Sequence, residues 1–143
     1  MSFLPLDTML GKLQIVKVLD WYDGPRLFIA ENVSGSRYIA FWADELENES
    51  LWLYSAVSES RIESVISGQF DLRSIYTNPE DEIVFLVHLL HGDRASVEII
   101  SPVQLDSEML PPEDDFLVFD DAIAPNLTIS KTTTLMRGKS TLF

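Results

Sequence analysis

"KLQIVKVLDWYDGPRLFIAENVSGSRYIAFWADELENESLWLYSAV", residues 12–57, decides the fold. Ile, Val, Leu and aromatic residues crowd into short runs, as they do in strands. Residues 12–22, 26–32, 37–44 and 51–57 read as four such strands. "DGP" at 23–25 is a turn signal, "VSGS" at 33–36 supplies the Gly and Ser of a tight connection, and "ELENES" at 45–50 is a polar loop. Connections this short cannot make parallel crossovers, so the four strands form an antiparallel meander. Their hydrophobic alternation is not clean. Several are apolar on both faces, which requires a cover for each face of the sheet.

Beyond residue 57 the period changes. In "SESRIESVISGQ", 58–69, Ile62, Val65 and Ile66 recur at helical spacing. Ser60 and Glu63 fit a capping box, and Gly68 is a natural stop. "DLRSIYTN", 71–78, reads as a further helical turn or two ended by Pro79. "EIVFLVHLL", 82–90, is the most apolar run and reads as a central strand. "HGDR" at 91–94 turns it into a partner strand, "ASVEIIS", at 95–101. Residues 102–112 are irregular, and "FLVF" at 116–119 reads as a short edge strand. The expected fold class is therefore α+β: an antiparallel sheet, built from the N-terminal meander and a later hairpin, with one or two short helices on one face. Residues 1–125 are expected to form a single domain, and 126–143 a basic C-terminal segment, strand or partly ordered tail.

The chain has 143 residues, 46% hydrophobic, and no cysteine. That length suits one domain with a real core. The missing cysteines exclude a disulfide framework and thiolate chemistry. No apolar run approaches the roughly 18 residues that span a bilayer, and "MSFLPLDTML" does not resemble a signal peptide. The expected location is cytoplasmic. The net charge is −13, unevenly spread. Residues 1–43 balance four acids against four bases, residues 44–121 set nineteen acids against three bases, and residues 122–143 carry three bases and no acid. Such a field disfavours nucleic acid and anionic lipid and attracts basic protein surfaces.

Few catalytic arrangements survive. There is no Gly-x-Ser-x-Gly elbow, no Walker A loop and no dinucleotide fingerprint. Lysine is absent between Lys17 and Lys131, which weakens a two-metal nuclease reading. The metal candidate is "HLLHGD", with His88, His91 and Asp93. On a helix, His88 and His91 would share a face and could bind zinc for a metal-dependent hydrolase. On the expected strand they point to opposite faces, and His88 reads as a satisfied, partly buried imidazole. No metal and no cofactor are expected.

"PPEDDFLVFDDA", 111–122, holds the densest run of acids. Glu113, Asp114, Asp115, Asp120 and Asp121 flank an apolar centre containing Phe116 and Phe119. An extended centre would hold the two acidic clusters about 13–17 Å apart, too far to converge on one metal ion. These seven residues are therefore the expected partner-binding surface: charges for a fast, salt-sensitive encounter and phenylalanines for residence. The function expected is non-catalytic, the docking of a basic protein partner, as in immunity, antitoxin, inhibitor or DNA-mimic proteins. An accessory subunit of a larger complex, or a homo-oligomer formed through the apolar second sheet face, is the other non-catalytic reading.

"ESLWLYSAVSESRIESVISGQFDLRSIYTNPE", 49–80, resembles a pattern in small bacterial proteins of uncharacterised function. A Leu-Trp-Leu-Tyr strand leads into a Ser-x-x-Arg helix, a Ser-Gly stop, an Asp-Leu-Arg turn and a short helix. The resemblance implies a bacterial or phage-related cytoplasmic protein and carries no activity or site residues. Arg61 and Arg73, isolated bases within this acid-rich zone, are expected to neutralise neighbouring carboxylates.

Overall fold

The computed structural model describes residues 4–5, 8–21, 24–90, 94–119 and 128–130. Six strands form one antiparallel sheet in sequence order: β1 (Leu13–Trp21), β2 (Pro25–Asn32), β3 (Arg37–Glu45), β4 (Glu49–Ala56), β5 (Val84–Leu90) and β6 (Arg94–Ile100). The first four are the expected meander, and β5 lies between β4 and β6. Two helices, α1 (Glu59–Ile66) and α2 (Leu72–Thr77), interrupt the sheet between β4 and β5. The fold is α+β, as the sequence pattern requires. β7 (Leu117–Phe119) does not extend this sheet: it pairs with β8 (Thr128–Ser130) in a separate two-stranded ribbon.

Both faces of the sheet are buried at the inner strands β2, β3 and β4, which explains their poor alternation. In β2 the successive residues Leu27, Phe28, Ile29 and Ala30 are all buried, and in β4 the run Leu51 to Ser55. On one face Leu27, Ile29, Ile39, Phe41, Leu53 and Val84 meet Ile62 and Val65 of α1 and Leu72, Ile75 and Tyr76 of α2. On the other, Phe28, Tyr38, Trp52 and Tyr54 interlock, with Phe28 and Trp52 ring centres 5.2 Å apart, and Leu10 packs against them. β1 switches faces through a bulge. Ile15 opposes Ala30 and Lys17 opposes Ile29, so Val16 is the extra residue, and Ile15 and Val18 both reach the aromatic face.

The helices exist because they are packed. Isolated helices shorter than about 12–15 residues are marginal in water, and α1 has eight residues and α2 six. Each fully buried apolar side chain contributes about 1.5–3 kcal/mol, which outweighs that deficit. Two hydrogen bonds fix α2 on the sheet: Tyr76 Oη donates to the Ile39 carbonyl at 2.9 Å, and Ser55 Oγ to the Ile75 carbonyl at 3.1 Å.

The expected N-cap of α1 needs correction. The cap is Ser58, whose Oγ accepts from the Arg61 amide at 3.1 Å, two residues before Ser60. Arg61 then occupies the position at which a Glu or Gln would complete a capping box, and a guanidinium cannot accept a hydrogen bond. Glu80 takes that role from 22 residues away, accepting from the Ser58 amide at 2.7 Å. Gly68 stops the helix as expected, with φ +80°. A Cβ there would also stand 2.7 Å from the Leu117 carbonyl oxygen.

Candidate functional site

The segment from Leu105 to Leu117 crosses the outside of the helices. Its apolar residues point inward: Leu105, Met109 and Leu110 pack against the helix-side core, and Pro111 and Leu117 are buried. Arg73, on α2, clips it in place. One guanidinium nitrogen donates to the Pro111 carbonyl at 2.9 Å and another to Ser107 Oγ at 2.6 Å. The Leu72 amide, at the start of α2, donates to the Asp115 carbonyl at 2.7 Å.

With its apolar side inward, the segment presents its acids outward. Asp106, Glu108, Glu113 and Asp114 are all exposed, and none makes an ion pair with the described residues. Asp114 sits at a turn in the left-handed region, φ 57°, which Asp tolerates better than most residues. Asp115 differs from its neighbours: its side chain is 8% exposed, so it belongs to the attachment of the segment and not to its outer surface. Phe116 is half-buried, and Phe119 is the last residue of β7. Asp120 and Asp121 lie outside the described residues.

Of the two arginines, Arg61 pairs with a carboxylate as expected, Glu80 at 3.9 Å, and Arg73 does not. Arg73 binds a carbonyl and a hydroxyl, neither of them charged. Arg61 also stacks over the Phe70 ring and donates to the Asn78 carbonyl. Arg61 is engaged by Glu80, Phe70 and the Asn78 carbonyl, and Arg73 by Pro111 and Ser107, so neither pairs with the outer carboxylates of 106–114. Asp106 and Glu108 stand just before the stretch 111–122. Their signal in the sequence was the continuous run "DSEMLPPEDD", 106–115, which reads as one acidic segment once the intervening apolar residues are recognised as anchors.

The second polar cluster lies at the far end of the sheet. His88 on β5 is flanked by Glu49 on β4 and Glu98 on β6. Nδ1 lies 2.9 Å from Glu49 Oε1, and Nε2 lies 3.0 Å from Glu98 Oε1. Burial pulls the imidazole pKa down, but the hydrogen bonds and charges of Glu98 and Glu49 outweigh it and hold it above its ordinary value. In the imidazolium form both ring nitrogens donate, one to each carboxylate. The carboxylates sit on opposite sides of the ring and do not converge. Among the described residues no group of three or more His, Asp and Glu side chains is placed to hold a metal ion. His91 and Asp93 lie outside the described residues. The sequence flagged His88 but not its partners, because Glu49 is 39 positions away and only strand register brings it close.

Among the described residues no helix is long and apolar enough to cross a membrane. The chain belongs to DUF6575, a family of unknown function whose model matches residues 1–141. No curated protein and no solved structure matches it.

Proposed function

We propose that this member of the DUF6575 family is a non-catalytic docking protein that binds a basic protein partner through the acid-bearing segment 106–116. The observation behind the proposal is the set of four exposed carboxylates, Asp106, Glu108, Glu113 and Asp114, without ion-pair partners among the described residues. They ride on a backbone that Arg73 and the buried Leu117 hold against the helices. A held frame matters because loose acidic loops lose ordering entropy on binding, whereas fixed charges keep their complementarity. Phe116, half-buried beside them, supplies an apolar contact that lengthens residence. Asp120 and Asp121 extend the same charge along the chain. An immunity, antitoxin, inhibitor or DNA-mimic role in a bacterial cytoplasm fits this surface and the absence of cysteine.

The test captures the partner from host extract, identifies it by mass spectrometry, and compares two proteins. One is the wild type. The other carries Asp106→Asn, Glu108→Gln, Glu113→Gln and Asp114→Asn. Asn keeps both the turn at 114 and the acceptor with which Asp106 Oδ1 holds the Glu108 amide at 3.0 Å. The variant should keep its melting temperature and lose at least about tenfold in affinity at low salt, the difference shrinking as salt rises. An affinity indifferent to both the substitutions and the salt would show that the acids only solvate the surface.

A further inference from the structure

The two edges of the six-stranded sheet are unlike. An open edge offers unpaired backbone N–H and C=O groups to any other strand, and proteins normally blunt it. β1 is blunted: its register with β2 shifts at three places, and β8 lies beside it. β6 is not. Its seven residues pair with β5 in unbroken register from Leu90↔Arg94 to Val84↔Ile100, and among the described residues its outer side pairs with nothing. Ser96, Glu98 and Ile99 are exposed along it.

The charge pattern on this edge is self-complementary. Arg94, Ser96 and Glu98 point to one face, two residues apart, and Ala95 and Val97 to the other. In an antiparallel pair with a two-fold axis at Ser96, Arg94 of each copy stands opposite Glu98 of the other. Ala95 then meets Val97, continuing the apolar face of Val87 and Leu89. Moving the axis by one residue, to Val97, would set Arg94 against Ile100 and leave the guanidinium without an acid directly opposite. Arg94 is exposed and makes no ion pair with the described residues. The Glu98 side chain remains 61% exposed although Oε1 accepts from His88, so it can take a second donor.

We infer that β6 is a homodimer edge: two copies pair antiparallel through residues 94–98, centred on Ser96, and join their two six-stranded sheets into one continuous sheet. The occupant is a second copy because the sign of charge reverses across Ser96, a pattern that matches itself under two-fold rotation. This surface is separate from the acid-bearing segment, so either can fail alone.

The experiment is sedimentation velocity on the full-length chain and two variants, Arg94→Glu and Glu98→Arg. Each variant places like charges opposite one another in its own dimer, twice, and should weaken self-association at least about tenfold. In an equal mixture, the first variant offers acids at both positions and the second offers bases at both. Every cross-strand pair is then opposite in charge, and the dimer should return. That recovery also shows both variants to be folded. If Glu98→Arg does not fold, Arg94→Lys should keep the dimer that Arg94→Glu loses. Three results would overturn the inference: a wild type that remains monomeric at about 1 mM, variants that dimerise as well as wild type, or a mixture of folded variants that stays monomeric.

Discussion

His88 ties three strands together with one proton. As an imidazolium it donates to Glu49 through Nδ1 and to Glu98 through Nε2. As a neutral ring it can donate to only one, and the other nitrogen turns a lone pair toward a carboxylate. Its folded pKa is raised above the unfolded value. The stabilisation is therefore complete below the unfolded pKa, near 6.5, and is lost as pH rises through the folded one. Urea unfolding from about pH 6 to about pH 9 should show the wild type losing stability relative to His88→Gln. A constant difference across that range would mean that folding leaves the His88 pKa unchanged. Tyr54 is the opposite case at this scale. Its buried hydroxyl finds no hydrogen-bond partner among the described residues, and burial pushes its pKa up, so it serves as bulk in the aromatic face.

Helix α1 is an element held at its start by side chains and along its length by packing. Ser58 caps the Arg61 amide, and Glu80 caps Ser58 in turn. Ser60 is exposed inside the first turn. Removing a cap hydroxyl costs about 0.5–2 kcal/mol, whereas Ser to Ala inside a helix is neutral or mildly favourable. Ser58→Ala should therefore lower the urea midpoint, and Ser60→Ala should leave it unchanged or raise it. The reverse order would restore the cap to Ser60. Segment 105–117 is an element of another kind, with almost no regular structure. Its position depends on Arg73, on buried Leu117 and on the close approach of Gly68 to the Leu117 carbonyl.

At the scale of the whole molecule, a net charge of −13 repels itself. The described ion pairs are few, and several are partly exposed: Arg37 serves both Glu31 and Glu59, and its side chain is 35% exposed. Such pairs contribute little each, so screening removes more repulsion than attraction. Raising sodium chloride from about 0.01 M to about 1 M shortens the screening length from about 30 Å to about 3 Å. The melting temperature should rise by about 2–4 °C, which corresponds to about 1 kcal/mol for a chain of this size. A fall would show that local pairs outweigh the summed field.

By itself the sequence determined the meander, the helical interlude and the hairpin, because each is written in local periodicity and in turn residues such as Gly35 and Gly68. It also determined the acid-rich character of the middle of the chain. It could not show that Glu80 completes the cap of Ser58, that Glu49 and Glu98 clamp His88, or that Arg73 holds Pro111 and not a carboxylate. Each of these joins residues from about 10 to 39 positions apart. Tertiary structure also decided which acids face outward. Asp115 reads like Asp114 in the sequence, but the backbone bond from Asp115 to Leu72 and the burial of Leu117 turn its side chain inward. Composition states how much charge a segment carries, whereas packing decides which of it meets solvent, because the buried apolar side chains fix the direction of the backbone between them.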